Sequence, residues 1–566
     1  MQQNSVRGVD APEEPINEGR SVSWRRRIVR PGRQAHSWIV GTLLLVLAVS
    51  LPALYVVLHI FGGSNPVWDH LVATVLSDYI LNTLMLMLGV AVLVTPVGVI
   101  CAWLIAAYEF PGRAWLEWAL VLPLAMPAYI TGYAWSGIFE YGGPLDALAT
   151  WLGFGPTLGI DIFSIYFLAA LFAFVLYPYV YLVARSSFAR QSAGLIEAAR
   201  LTGAGSWEVF RRVAMPLARP AVAGGLALCL MEVLNDYGAV KYFGVSTFTT
   251  GIFRAWFAIG DTGAAVRLAA VLMLFVFVLI VLERRSRVRT AVSSSSVMRR
   301  QTLRGRKAAL ALIFCLVPLS LGFIIPVLRL LTWAWRTAAD VLDMQFFVLV
   351  LNSFALALGS ALLCCAAAII VLYTARLQRT RLAGFLAQSA TLGYSIPGAV
   401  IAVGVMTPFA AIDHGIDGIM QSLTGSGTGL LLSGTLFALL YAYLSRYLAV
   451  AFQPVDAGFE RTAASMDEAA RSLGASPLKA LLRINIPMVR TAILSAIILV
   501  FVDVLKELPL TLILRPFNFE TLATRAFQFA GNEQLAEAAS PALLIVAVGV
   551  IPIVYLNRLM NSHQAR

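Results

Sequence analysis

Long apolar blocks separated by short polar stretches dominate the chain. Each block is roughly 20 residues long, enough to cross a hydrocarbon layer about 30 Å thick as a helix. About twelve such blocks occur, at approximately 38–61, 80–107, 116–138, 162–184, 217–237, 264–282, 308–331, 351–373, 383–408, 430–451, 490–513 and 538–557. This pattern predicts an all-α integral membrane protein, because helices satisfy their backbone hydrogen bonds internally when no water is present.

The distribution of charge predicts the orientation in the membrane. Only 13% of the 566 residues are charged, whereas a soluble domain carries about a quarter. The net charge of +12 is concentrated in the N-terminal tail and in residues 283–307, while residues 62–78, 139–161 and 409–429 contain no Lys or Arg. By the positive-inside rule, both termini and residues 283–307 lie in the cytoplasm. The basic charge therefore indicates topology, and no nucleic-acid partner is expected.

An internal repeat divides the chain into two halves. The segment from Glu197 to Pro216 recurs from Glu468 to Pro487 at an offset of 271, and upstream Pro127 matches Pro397 at an offset of 270. Six spans in each half would insert with the same orientation, as a parallel repeat about an axis normal to the membrane. The predicted boundaries are a basic tail (1–37), a first half (38–282, core about 80–282), a linker (283–307), a second half (308–557, core about 350–557) and a C-terminal tail (558–566).

Each copy of the repeated segment predicts a helix, a break and a second helical stretch on the cytoplasmic side. Gly203 and Gly474 stand where a helix end or tight turn is expected. Ser206 and Ser476 are predicted to cap the second stretch. Two copies at pseudo-symmetric positions favour a symmetric partner.

The spacing of this segment resembles the Glu-Ala-Ala loop of ABC importer permeases. The resemblance assigns docking to two matched sets: Glu197, Ala198, Ala199, Gly203, Val213 and Pro216, and Glu468, Ala469, Ala470, Gly474, Ile484 and Pro487. It implies a type I importer permease fold, two copies of an ATPase subunit on the cytoplasmic face and a periplasmic binding protein on the outer face. The printed sequence contains no phosphate-loop motif, so ATP and Mg are expected on the partner subunits. No enzyme activity and no cofactor are expected on this chain.

Acidic residues inside two spans are the candidates for the substrate pathway. Glu232 and Asp236, and likewise Asp503 and Glu507, stand four residues apart on one helix face. Intramembrane charges are costly and indicate function. Four converging carboxylates would attract a cation, with further contributions from Asn235 and Tyr237. The alternative is that Lys506 neutralises a neighbouring acid while the other acids cap irregular helix ends. Because the resemblance implies that a periplasmic binding protein delivers the substrate, no high-affinity metal site is expected on this chain.

Short sequences around these acids narrow the resemblance to ferric-iron importer permeases. They are Asn235-Asp236-Tyr237-Gly238-Ala239 in the first half and Lys506-Glu507-Leu508-Pro509 in the second. The resemblance implies a multi-pass protein of the bacterial inner membrane that imports ferric iron. Permeases for thiamine, polyamines or aminophosphonates remain alternatives. An ion-gradient-driven secondary transporter is an alternative of another class, although such proteins usually repeat a loop between spans two and three.

Overall fold

The computed structural model describes residues 33–63, 65–153, 161–191, 198–286, 300–378, 380–463 and 465–564. The helices of the first half and of the segment that follows it are α1 (Arg33–Leu58), α2 (Pro66–Thr74), α3 (Leu76–Ala107), α4 (Arg113–Ala119), α5 (Ala128–Phe139), α6 (Pro144–Trp151), α7 (Ile165–Ala189), α8 (Ser206–Val209), α9 (Met215–Asn235), α10 (Gly238–Tyr242), α11 (Phe248–Phe253) and α12 (Thr262–Ser286). Those of the second half are α13 (Arg306–Leu319), α14 (Ile325–Val341), α15 (Met344–Gln378), α16 (Arg381–Ala390), α17 (Gly398–Thr424), α18 (Leu436–Glu460), α19 (Ser465–Ser472), α20 (Pro477–Ala480), α21 (Ile486–Met488), α22 (Arg490–Leu505), α23 (Pro509–Leu514), α24 (Leu522–Gly531) and α25 (Ala539–Gln564).

Every predicted apolar block falls on helical structure, and the all-α integral membrane class is confirmed. In the part of the chain that the structure describes, nine helices are long and apolar enough to cross a membrane. Two further pairs, bent by 93° and 79°, would raise this number to eleven if each pair is one span. Residues Ala539–Val554 form a shorter apolar helix. The count of twelve spans stays a prediction.

The third and ninth predicted blocks are broken rather than continuous, which corrects the sequence expectation. A short 3₁₀ turn precedes Pro127 in one half and Pro397 in the other, and both prolines have φ −56° and ψ 142°. A proline lacks the amide hydrogen of a helix interior and forces the preceding residue towards extended backbone. The third block therefore splits before α5 and the ninth before α17, at matched positions of the repeat.

The fifth and eleventh blocks also end early. The helix α9 stops at Asn235 and α22 at Leu505, and each is followed by a short break and a short helix, α10 or α23. Residues 409–424, which lie between the ninth and tenth predicted apolar blocks, continue α17 as helix. The helical hydrogen bonds are interrupted directly after α9 and α22. Backbone N–H groups near the predicted acids are therefore available to bind side chains.

The two halves pack alike in their cores but exchange their first helices. In the first half α3, α7 and α9 pack together, as α15, α18 and α22 do in the second. The helix α1 packs mainly against α15 and α17 of the second half, and Thr42 Oγ1 donates to Thr374 Oγ1 at 2.8 Å. The helix α14 packs against α5 and α25, and Arg329 Nη2 donates to Gly137 O at 3.0 Å. This exchange ties the halves together.

A short parallel bridge connects the end of the linker to the first half. The strand β1 (Tyr108–Glu109) follows α3 and pairs with β2 (Gln301–Thr302). Leu303 N donates to Glu109 O at 2.8 Å, and Arg113 pairs with the Glu109 carboxylate at 3.0 Å. The chain is thus held at residues 301–303 before it enters α13.

Candidate functional site

A cavity of about 120 Å³ lies where the ends of α9 and α22 approach one another between the two halves. The first half contributes side chains from α5, α7 and α9, and the second half contributes them from α18, α22 and the break before α17. Its polar lining residues are Tyr129, Tyr179, Glu232, Asn235, Asp236, Tyr237, Tyr394, Ser395, Arg446, Tyr447, Asp503, Lys506 and Glu507. All six predicted pathway residues therefore line one cavity.

The two acids of the second half are both paired with cations. Glu507 is 6% exposed, and its Oε1 lies 3.2 Å from Arg446 Nη1, while its Oε2 accepts from Tyr447 Oη at 2.6 Å. Leu510 N also donates to Glu507 Oε1 at 3.0 Å, at the start of α23. Asp503 Oδ1 lies 2.9 Å from Lys506 Nζ. The expectation that Lys506 neutralises a neighbouring acid is met at Asp503.

Neither acid of the first half has a cation bound to it. Asp236 Oδ1 accepts from Ala239 N at 2.8 Å and from Val240 N at 3.2 Å, so this carboxylate caps the short helix α10. Among the residues that the structure describes, the Glu232 carboxylate forms no hydrogen bond and no ion pair. The charges that act on it belong to residues across the cavity, chiefly Lys506 and Arg446.

Asn235 and Tyr237 have different roles in the cavity wall. Asn235 Oδ1 accepts from Gly398 N at 2.8 Å, which joins the end of α9 to the start of α17 in the other half. The Tyr237 ring stacks on Phe253 with centroids 3.6 Å apart and an interplanar angle of 14°. Asn235 thus connects the two halves beside the acids, and Tyr237 closes the wall with an aromatic pair.

Arg446 is the charged residue of the cavity lining that the sequence interpretation missed. It lies in the middle of α18, is 6% exposed and touches the backbone so closely that a Cβ atom at Gly398 would overlap its Nη1. A single arginine within an apolar span was a signal available in the sequence. It has no counterpart in the first half, where Val175 stands at the matched position, so the repeat could not indicate it.

The cavity has an excess of acidic groups but no ready-made metal site. Its lining contains four carboxylates and two cations, which leaves a formal charge of −2 if all are ionised. No group of three or more His, Cys, Asp or Glu side chains in the described ranges is arranged to hold a metal ion. The lining can therefore attract a cation without binding it through a closed set of carboxylates.

The two predicted docking loops share one backbone design. Gly203 has φ 87° and Gly474 has φ 82°, a left-handed conformation that favours glycine. In both copies the residue after this glycine donates to a carbonyl five residues back, Ala204 to Ala199 at 3.2 Å and Ala475 to Ala470 at 3.0 Å. This pattern is a Schellman helix end, so the predicted break is confirmed in both loops.

The second part of each loop is also matched. A π-turn covers Phe210–Ala214 and Leu481–Asn485, directly before the turn that contains Pro216 or Pro487. Because proline cannot donate to the carbonyl four residues back, a wider turn accommodates it. Ser476 accepts from Lys479 N and caps α20 as expected, whereas the cap of α8 is Gly205 and the expectation for Ser206 was wrong.

The docking loops expose apolar side chains outside the membrane helices. Leu201 is 88% exposed and Leu473 is 89% exposed, each within two residues of the loop glycine. Ala198, Glu468 and Ala469 are also exposed, while Ala470 is buried and Val213 and Ile484 are half-buried. Glu197 lies outside the described residues. Exposed apolar residues beside a polar surface are typical of a protein-binding site.

The membrane helices, the cavity between the halves and the paired loops are those of a multi-pass membrane transport permease with two pseudo-symmetric halves. The chain belongs to the family of the binding-protein-dependent transport system inner membrane component, whose family model matches residues 94–289 and again residues 366–566. One match falls in each predicted half. The resemblance to ABC importer permeases is thereby confirmed, and the protein is a permease subunit of such an importer in the inner membrane.

Curated relatives transport different substrates. The Fe(3+)-transport system permease protein FbpB 2 of Haemophilus influenzae is 26% identical over 538 residues, which is 93% of this chain and 99% of the relative. The sulfate transport system permease protein CysW of Escherichia coli is 31% identical over 224 residues, 38% of this chain and 74% of the relative. The sulfate permease CysT of Escherichia coli is 28% identical over 154 residues, 26% of this chain and 50% of the relative.

Proposed function

We propose that this permease imports ferric iron delivered by a periplasmic binding protein. The observation that carries the proposal is the acid-rich cavity between the halves, lined by Glu232, Asp236, Asp503 and Glu507. Carboxylates are the ligands that hard, highly charged cations prefer. The relative named for Fe(3+) transport matches this chain over almost its whole length, which supports the same substrate.

Sulfate is the second candidate, because sulfate permeases also match and because the buried Nε of Arg446 has no hydrogen-bond partner in the described structure. An anion could use such a donor. However, Arg446 Nη1 is already paired with Glu507, and the formal charge of the lining is negative. Bringing a divalent anion next to these carboxylates would be repulsive. The cavity therefore favours a cation, and thiamine or a polyamine is a weaker alternative than iron.

Energy for transport would come from two copies of an ATPase subunit that hold ATP and Mg. Each copy would bind one docking loop, where Leu201 and Leu473 offer exposed apolar contacts. With both termini in the cytoplasm, as the arginine distribution indicates, the loops face the ATPases and the opposite end of α9 and α22 faces the binding protein. ATP would draw the loops together, and rocking of the halves would open the cavity alternately to each side.

Uptake of radiolabelled ferric iron, thiamine and sulfate in a deletion strain tests the substrate. Complementation with the wild-type gene should restore iron uptake alone. The double variant Asp236→Asn with Glu507→Gln should restore little, since it removes two cavity charges while keeping side-chain size. Asp69→Asn, at an exposed position outside the cavity, serves as the matched control. Recovery of thiamine or sulfate uptake, or wild-type iron uptake by the double variant, would overturn the proposal.

The coupling role is tested separately at the loop glycines. Gly203→Pro or Gly474→Pro cannot adopt the positive φ of either loop, so each should abolish uptake while the protein still inserts. ATPase activity of the purified complex in nanodiscs should then no longer respond to the loaded binding protein. Normal uptake with either variant would show that the loops do not transmit the motion.

A further inference from the structure

A tyrosine hydroxyl without a partner faces the same cavity. Tyr129 lies in the first turn of α5, directly after the break at Pro127, and is 3% exposed. Its Oη atom is buried and has no hydrogen-bond partner in the described structure. A buried polar group left without a partner is destabilising, so its presence needs an explanation.

Neighbouring residues hold the Tyr129 ring in place beside Asp236 and Glu507. Gly238 packs so closely that a Cβ atom there would lie 2.8 Å from Tyr129 Cβ. The ring also meets Phe527 edge-on with centroids 6.5 Å apart. Asp236 and Glu507, one from each half, line the same cavity as Tyr129. The tyrosine is therefore held in place beside the acids that end α9 and α22.

Both of these carboxylates keep acceptor capacity that their protein contacts do not use. A carboxylate offers about four lone-pair positions. Asp236 binds its two backbone donors through Oδ1, and no donor in the described structure reaches its Oδ2. Glu507 uses both positions of Oε1, for Arg446 and Leu510, but Tyr447 takes only one position of Oε2. Two carboxylate oxygens and one phenol oxygen are thus available at the cavity.

We propose that Tyr129 is the residue that selects a trivalent cation, by binding it through its hydroxyl oxygen together with Asp236 and Glu507. The inference rests on the proposed function and adds the ligand that discriminates ferric iron from divalent ions. A trivalent ion displaces the phenol proton to water as the metal–oxygen bond forms, and tyrosinate is a known protein ligand of ferric iron. A divalent ion withdraws less electron density and leaves the phenol protonated and weakly bound.

The neighbouring Tyr133 supplies a matched control. Its hydroxyl is also buried without a partner, and its ring lies 5.6 Å from that of Tyr129. It is absent from the cavity lining, however. Tyr129→Phe and Tyr133→Phe each remove one buried oxygen and keep the aromatic ring. The two variants should therefore affect folding alike, but only Tyr129→Phe removes a hydroxyl from the cavity lining.

The test combines spectroscopy and transport. Full-length permease in nanodiscs is titrated with Fe³⁺ supplied as the nitrilotriacetate complex, and the phenolate-to-iron charge-transfer absorption is recorded in the visible range. Wild type and Tyr133→Phe should show the band, and Tyr129→Phe should not. In cells with the complete transporter, Tyr129→Phe should lower ferric uptake by roughly tenfold or more, while Tyr133→Phe should leave it unchanged.

The outcomes separate this inference from the proposed function. If wild type imports ferric iron but Tyr129→Phe imports it equally well and keeps the band, Tyr129 is not a ligand and the proposed function stands. If both tyrosine variants lose uptake equally, the effect is on packing and the inference is overturned. If wild type imports no ferric iron, the inference falls together with the proposed function.

Discussion

The cavity is bounded by one acid pair from each half, and the two pairs are held differently. In the second half Glu507 is paired with Arg446 and Asp503 with Lys506. In the first half, and among the described residues, the Asp236 carboxylate binds two backbone amides and the Glu232 carboxylate has no hydrogen-bond or ion-pair partner. Both halves therefore have an acid pair, but both cations belong to the second half. The uncompensated negative charge lies on the first half.

A second difference of the same kind separates the docking loops. In the second loop Asp467 is bound by Arg376 Nε and by Asn485 Nδ2, each at 2.6 Å, and the Arg376 guanidinium also donates to Thr462 Oγ1 at 2.7 Å. The matched positions of Arg376 and Asn485 in the first half are Ala106 and Ala214, both buried. The second loop is therefore anchored by side chains that the first half lacks at the matched positions 106 and 214. Buried ion pairs fix position more than they add stability.

The largest expected loss of stability follows from removing Arg446, the cation that is paired with Glu507. Arg446→Leu leaves the Glu507 carboxylate buried without its counter-ion, which should lower the unfolding free energy by about 3–5 kcal/mol. Val175→Leu, at the matched buried position of the first half, adds one methylene and should cost less, about 1–3 kcal/mol. Denaturation of the purified protein in detergent micelles compares the two.

The double variant Arg446→Leu with Glu507→Gln gives the control for that prediction. It removes both charges, so most of the lost stability should return while ferric uptake stays impaired. Wild-type stability of Arg446→Leu alone would mean that Glu507 is not dependent on this arginine, and the contrast between the halves would disappear.

What the sequence could predict of this site follows from the repeat. Residues at matched positions lie opposite one another about a pseudo-two-fold axis, so the pairing of Glu232 with Asp503 and of Asp236 with Glu507 around one cavity was predictable. The helix breaks at Pro127 and Pro397 were signalled by proline but hidden by apolar residues on both sides. The hydropathy averaged over a window of residues stays high across a bend within an apolar stretch, so it does not reveal the bend.

Features that belong to one half alone were not predictable in this way. Arg446, the Arg376 network and the hydroxyl of Tyr129 have no counterpart at the matched positions, so self-comparison of the halves does not reveal them. Their partners are distant in sequence: Arg446 and Glu507 are 61 residues apart, and Arg376 and Asp467 are 91 apart. Only the packing of α15, α18 and α22 brings these groups together.

The next prediction tests the anchoring of the second docking loop. Arg376→Leu leaves Asp467, which is 6% exposed, without its guanidinium and should lower the unfolding free energy by about 3 kcal/mol. Hydrogen exchange should increase over residues 465–485 and not over the first loop. Arg381→Leu, an exposed arginine at the start of α16, is the control and should stay within about 0.5 kcal/mol of wild type. Equal exchange in both loops would remove the proposed difference between them.

A smaller effect is expected where the backbone makes room for Arg446. A Cβ atom at Gly398 would overlap Arg446 Nη1 and lie 2.7 Å from Glu507 Oε1, so Gly398→Ala should cost about 1–3 kcal/mol. The matched residue in the first half is already Ala128, and Val175 stands there at the position matched to Arg446. Gly384→Ala, with open space around it in α16, should be neutral or slightly stabilising. If Gly398→Ala behaves like Gly384→Ala, the ion pair does not depend on this close approach.

The smallest effect on stability should come from replacing Glu232, the acid whose carboxylate has no partner among the described residues. This variant tests most directly whether the two halves hold their acids differently. Glu232→Gln removes a half-buried charge that no described residue compensates directly, so the unfolding free energy should stay the same or rise slightly. Asp503→Asn, its match in the second half, weakens a contact to Lys506 and should cost about 1.5 kcal/mol. Ferric uptake should nevertheless fall in Glu232→Gln at unchanged protein level. A loss of stability as large as that of Asp503→Asn would show that Glu232 has a structural partner, and the excess negative charge would then no longer belong to the first half alone.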